Sequence, residues 1–382
     1  MEWARTNNAL CKCRPAYDKL RRLPSCSRDR ITQILRAKKA AEPLSGSASG
    51  TIQLRAADFD LCMRKAALLY NPDSGGSKQR QRELESAVDV LKNAGVDAGL
   101  VPTKSPHHAL EETRLAIDSG CDTIFACGGD GTIHNIAQVV ANSPAALAIL
   151  PLGTANALAH DLNVPFNVVA AAKASLHAVP RRIALGRVFF SDLKGKPGMR
   201  YFIVAAGVGV DAHLFYKLHT GAKQRMGMGA YYAKAWHLWF SYPMTRFAAE
   251  YTAEGSNKSR RVDVTELMAI RIRNFGGILQ ELAPGASLDR NDMRLVFCRT
   301  ANRLAYLAYV TRGLLRLHWS IPGIDLDHST KVSCAYRQPS GASEEQRKIY
   351  VEADGELLGT LPAEITVVPD ALTLLAPANQ AI

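Results

Sequence analysis

The chain has 382 residues, 47% of them apolar and 21% charged, which is the usage of a globular protein of about two domains and excludes a disordered or fibrous class. Its formal net charge of +12 suits contact with anionic surfaces, but no nucleic-acid-reading pattern accompanies it, so no nucleic acid partner is expected. The apolar run 304–317 contains Arg312 and is shorter than the roughly 20 residues of a spanning helix; with no secretory signal in view, the expectation is a cytoplasmic protein that meets membranes peripherally.

In chain order, residues 1–62 come first, and the first fifty of them carry eleven Lys or Arg against four acids. They show no sustained apolar period, at most a helix over 27–41, and a Ser/Gly-rich run at 45–50. They are read as a basic, disordered extension; a product starting at Met63, just ahead of the first strand, is expected to fold and work without it. Eight scattered cysteines read as reduced thiols, and Cys11, Cys13 and Cys26 lack a fourth ligand spaced to close a metal site.

From residue 63 the texture is strand, turn, helix. An apolar strand at 66–70 runs into Asn71-Pro-Asp-Ser-Gly-Gly76 and a helix at 79–94; a strand at 96–102 leads to Thr103 and a crossover helix at 107–119. The strand 123–127 then opens into Gly128-Gly-Asp-Gly-Thr132 and a helix at 133–141, and the strand 148–150 into Pro151-Leu-Gly-Thr-Ala-Asn156 and a helix at 157–162. Glycines let the backbone approach an anion, and the unpaired N–H groups of the next helical turn point at it. Asp130 inside such a loop repels phosphate unless a divalent cation or a proton stands between them, so the pattern points to phosphoryl transfer from a metal-bound nucleotide. Alone, Gly-Asp-Gly is most often a surface turn. Three such turns after three strands of one parallel sheet gather on a single ligand-binding edge.

Beyond about residue 182 the texture turns to β, with strands expected at 183–190, 200–206, 248–253, 265–272 and 293–299, helical insertions at 230–238 and 304–317, and short terminal strands at 365–368 and 372–375. The run Gly207-Val-Gly209-Val-Asp211 lacks the later glycine of a dinucleotide fingerprint. The aromatic stripe 231–242, with Lys234, reads either as helix packing or as a membrane-surface element.

The three turns, together with Ala205-Ala-Gly-Val-Gly-Val-Asp211 and Val351-Glu-Ala-Asp-Gly-Glu356, resemble the diacylglycerol kinase catalytic-domain family, in the family's order and from about residue 64 onward. The resemblance implies an α/β nucleotide-binding domain at 63–182, a β-sandwich lipid-substrate domain at 183–364, an ATP cleft between them, and a segment 365–382 that returns to the first domain. It implies ATP and Mg²⁺, with Asn71, Ser74, Thr103, Gly128, Gly129, Asp130, Gly131, Thr132, Ile133, His134 and Thr154 at the nucleotide, Asp130 facing the nucleotide-bound Mg²⁺, Glu356 as the base, and Asp211 on the substrate hydroxyl. The implied partner is a lipid at a membrane surface, and a homodimer is left open.

Two positions depart from the family. His134-Asn135 stands where many members have Asn-Glu, and Arg290 falls where some bacterial members hold a structural Mg²⁺ through an aspartate. A second metal site is therefore not expected unless Asp289 or Asp292 serves after a small shift. Two alternatives stay in view: a nicotinamide nucleotide kinase, which shares the glycine motif, and a catalytically silent lipid-binding protein on the same fold. The 151–156 element and the late Asp-Gly-Glu speak against the first, and the intact Asp130 and Glu356 against the second.

Overall fold

A computed structural model describes residues 63–72, 78–210, 212, 244–276, 281–315, 317, 319–337 and 348–377. The expected helices at 27–41 and 230–238 and the stripe 231–242 lie outside the described residues. The first lobe alternates strand and helix: β1 (Lys65–Tyr70), α1 (Lys78–Asn93), β2 (Asp97–Pro102), α2 (Pro106–Asp118), β3 (Thr123–Gly128), α3 (Asp130–Val140), β4 (Ala146–Pro151), α4 (Ala157–Asp161) and α5 (Val168–Leu176). The four strands are parallel in the order β2-β1-β3-β4. Every residue of β3 and β4 is buried, which is why both read as unbroken apolar runs rather than alternating ones. Helix starts are written locally: Ser105 accepts from the His108 N–H at 3.1 Å ahead of Pro106 in α2, and Asn167 does the same for Ala170 in α5 at 2.9 Å.

The second lobe holds β5 (Val179–Ser191), β6 (Pro197–Phe202), β7 (Ala205–Gly209), β8 (Phe247–Thr252), β9 (Ser259–Val264), β10 (Glu266–Ile270), β11 (Met293–Cys298), α6 (Arg303–Leu314), β12 (Ile324–Ser329), β13 (Lys331–Tyr336), β14 (Tyr350–Ala353) and β15 (Glu356–Ala376). One layer runs β12-β11-β10-β7-β14; the other joins β9, β8, β13, β15, β5 and β6. Phe202, Phe247, Phe297, Val351 and Ile365 meet in the core of this β-sandwich. A second cluster, with Ile270 and Val296, packs under Tyr306 and Tyr309 of α6.

The expected strand at 200–206 divides into β6 and β7. The two expected terminal strands are one, β15, of 21 residues. It forms a hairpin with β14, continues between β13 and β5, and ends between β5 and β4, where Thr373 and Leu374 pair in parallel with Ala146 and Leu147. A register shift between Val368 and Leu372, with Asp370 at φ +50°, absorbs the turn-like Pro369-Asp370 without ending the strand. Hydrogen bonding is thus continuous across both lobes, and the expected boundary between 182 and 183 falls inside β5.

Candidate active site

The glycine-rich loop forms where β3 ends. Gly129 caps α3, and the N–H groups of Thr132 and Ile133 bond its carbonyl at 3.0 and 3.1 Å, which leaves the earlier N–H groups of that turn as the anion-facing donors. The loop after β4 lies against it. A Cβ on Gly153 would sit 2.4 Å from the Cα of Gly129, and one on Gly128 would sit 2.3 Å from Thr132 Oγ1, so these backbones approach closely because they are glycine. Asn156 ties off the second loop, accepting from Gly153 N–H at 3.0 Å and donating to its carbonyl at 2.8 Å.

Asp130 joins the two loops, its Oδ1 accepting from the Ala157 N–H at 2.8 Å where α4 begins. Burial raises its carboxyl above the usual carboxylate range, against the opposing pull of the Ala157 and Asn156 N–H groups and with a smaller push from the charge of Asp354. A carboxylate at the meeting of the two glycine loops is the kind of hard oxygen ligand that suits Mg²⁺.

The hairpin between β14 and β15 brings the other carboxylates. Asp354 (φ +48°) and Gly355 (φ +80°) make its two-residue turn. Asp354 accepts from the N–H groups of Ile203, Val204 and Ala205 at 2.9, 2.9 and 3.0 Å, and meets His134 Nδ1 at 3.1 Å, with both side chains buried. This anchorage presents Glu356 to the glycine loop: its Oε1 lies 3.3 Å from where a Cβ on Gly131 would stand. Glu356 thus sits directly against the α3 N-terminus, with less room at residue 131 than a methyl group takes.

One face of α3 fastens the lobes together. Beside His134, Gln138 exchanges two 2.9 Å bonds with the backbone of Tyr201, and Asn142 Nδ2 donates to Tyr201 Oη at 3.2 Å. Asn135 donates to the Gly131 carbonyl at 2.8 Å and accepts from Arg200 at 3.3 Å. Burial lowers Arg200 from the usual guanidinium range, and the charge of Glu356 opposes that shift. Arg200, Asp354 and Gln138 were missed from sequence. Asp354 carried a signal as part of the late Asp-Gly-Glu motif, and Asn135 as the departure that followed His134.

Other sequence candidates divide. Thr154 is exposed on the 151–156 loop, and Asn71 lies at the end of β1. The side chains of Ile133 and His134 are turned into the protein, 2% and 1% exposed, so any nucleotide contact there is through backbone. Thr103 is buried, with its N–H and Oγ1 both directed to the Tyr70 carbonyl at 2.8 and 3.1 Å, which fastens β2 to β1. Ser74 and Asp211 lie outside the described residues.

At the suspected second metal position, Glu254, Asp292 and His328 turn ligand atoms toward one another. The guanidinium of Arg290 already bridges the two acids, at 2.8 Å to Glu254 and 2.5 Å to Asp292. Burial alone would raise Asp292, but Arg290 and His328 outweigh it and hold the carboxyl below its usual range. Asp289 is paired with Arg181. Neither aspartate is an open ligand.

Residues 65–188 match the diacylglycerol kinase catalytic domain. The chain is 27% identical over 323 residues to a diacylglycerol kinase of Bacillus subtilis, covering 84% of this chain and 98% of that one. It is 24% identical over 317 residues to a diacylglycerol kinase of Staphylococcus aureus, covering 82% and 93%. The fold is that of the crystal structure of a diacylglycerol kinase from Bacillus anthracis str. Sterne, with a TM-score of 0.59 at 18% identity, over 83% of this chain and 97% of the other. The protein is a kinase. Over residues 65–188 the chain belongs to the diacylglycerol kinase catalytic-domain family.

Proposed function

We propose that this kinase transfers the γ-phosphate of ATP to a hydroxyl of diacylglycerol or a related lipid, at the cytoplasmic surface of a membrane. The observation that carries the reading is the position of Glu356 against Gly131, which sets a carboxylate directly beside the phosphate-binding turn. An acceptor hydroxyl hydrogen-bonded to Glu356 would lie within reach of both the base and the transferring group. The paired glycine loops would hold the triphosphate through their N–H groups, and Asp130 would hold Mg²⁺, which when bound spreads the phosphate charge. Arg200 adds a fixed positive charge on the acceptor side, where Asp130, Asp354 and Glu356 would otherwise repel an incoming polyphosphate. Glu356 takes the hydroxyl proton, a step worth about 10²- to 10⁴-fold in rate.

The test is transfer of radiolabelled phosphate from ATP to a mixed lipid extract, run with the native chain and with Glu356→Gln. A labelled lipid with the native chain, and at least a hundredfold lower turnover at unchanged ATP affinity in the variant, is expected. Labelling of NAD in place of lipid would overturn the acceptor. Loss of ATP binding with high residual turnover would make Glu356 a nucleotide or structural residue.

A further inference from the structure

Helix α6 departs from the usual design of a surface helix, in which the outward face is polar. Its inner side, with Tyr306, Tyr309 and Arg312, is buried, but Leu304, Leu307, Val310 and Leu314 on its outward side are exposed at 72, 40, 39 and 36%. The chain beyond it continues the patch with Leu315, Leu317 and Trp319, exposed at 60, 38 and 49%. Half of the fourteen large apolar side chains exposed among the described residues fall in this one stretch. Its twelve residues span about 18 Å at 1.5 Å each, well short of a bilayer core of roughly 30 Å. No helix among the described residues is long and apolar enough to cross a membrane. An element of this kind is covered by lying flat in an interface.

The charge beside it selects the partner. Three residues before the Asn302 cap of α6, Arg299 lines a surface cavity with Arg246 and Arg261. Two aspartates share the cavity, but Asp325 is paired with Arg299 at 3.0 Å and Asp263 with Arg337 at 3.3 Å, so the two remaining arginines leave it positive. An anionic headgroup layer matches both halves of the surface, with cations at phosphate depth and leucines and a tryptophan at the acyl boundary.

We propose that the outward face of α6, continued by Leu315, Leu317 and Trp319 and flanked by the cavity of Arg246, Arg261 and Arg299, is the docking surface for an anionic bilayer. The proposal deepens the lipid-kinase reading by naming the face that meets the membrane, while its own grounds are the exposure and charge just described.

The experiment uses the full chain, sedimented with vesicles of phosphatidylcholine alone or mixed with phosphatidylglycerol. The native chain should bind the mixed vesicles and lose binding as salt rises. The variant Leu304→Ser/Leu307→Ser/Val310→Ser should lose roughly tenfold or more in partition while keeping its melting temperature and its turnover on detergent-dispersed lipid. Arg246→Gln/Arg261→Gln should lose mainly the salt-sensitive part of binding. Leu304→Asp alone, at the most exposed position, should weaken binding and serves if the triple variant melts early. Native-like vesicle binding by the apolar variants overturns the proposal, as does their conversion of a dimer to a monomer with vesicle binding unchanged. Failure of the kinase reading looks different: vesicle binding behaves as expected, but no lipid is labelled.

Discussion

Asp130 answers two opposed demands, since its Oδ1 must bond the Ala157 N–H inside a partly buried loop while, in the proposed reaction, the carboxylate serves a cation. Burial makes the folded chain hold that proton more tightly than the unfolded chain does. The stability linked to the protonated group is therefore intact below the unfolded carboxylate value of about 3.9 and is lost as pH rises through the higher folded value. Asn offers the same oxygen to Ala157 without the charge. Asp130→Asn should raise the melting temperature at pH 7, lose that advantage in acid, and lower phosphoryl transfer at least a hundredfold. Melting curves at two pH values with a turnover assay check this; near-native turnover with an unmoved melting curve would refute it. The backbone part of this site was legible in sequence because Gly128, Gly129 and Gly153 are required by close approach, and close approach leaves glycines behind. Arg200 was not legible: an arginine in a β-run reads as a solvated edge charge, and nothing local says that Asn135, 65 positions earlier, holds its guanidinium.

At the scale of elements, the loop 284–293 shows how a charge can do the work of an ion. Arg290 bridges Glu254 and Asp292, acids from separate parts of the second lobe. If the guanidinium is the resident cation there, chelation by EDTA should leave the melting temperature of the nucleotide-free chain unchanged. Arg290→Ala should lower it by a few degrees, equivalent to roughly 1 kcal/mol for a partly exposed network, and Mg²⁺ or Ca²⁺ should restore it, since the acids are then free to bind. A native melting point that falls on chelation would contradict this. Most first-lobe elements could be read within a few residues, because buried strands and capped helices carry local signals such as Ser105-Pro106. The helix α5, an Ala-rich segment with a weak apolar face, went unread, as did β12, β13 and β14, whose pairing is decided by distant partners rather than by their own composition.

Across the whole molecule, β15 is the member shared by both lobes, and it was the least legible element because Pro369-Asp370 imitates a stop. Leu372, Leu374 and Leu375 are buried on it, with β5 on one side and β4 on the other. A chain ending at Val368 should therefore fail to form the first lobe, visible as loss of cooperative melting in calorimetry and of ATP binding, even though every residue of the glycine loops remains. A truncated chain that melts like the native one would show the pairing to be dispensable. The same strand also bears on how the protein is made. During synthesis β4 emerges with its neighbour still unmade, and every strand of the second lobe must follow before Thr373 and Leu374 arrive to pair with it. At about 5–20 residues per second that wait is on the order of ten seconds or more. Throughout it the nascent first lobe carries an open, apolar sheet edge, the kind of template on which chains pair wrongly with one another. Yield in a cell should therefore depend on translation speed and on chaperones that cover such edges, more than the stability of the finished enzyme would suggest.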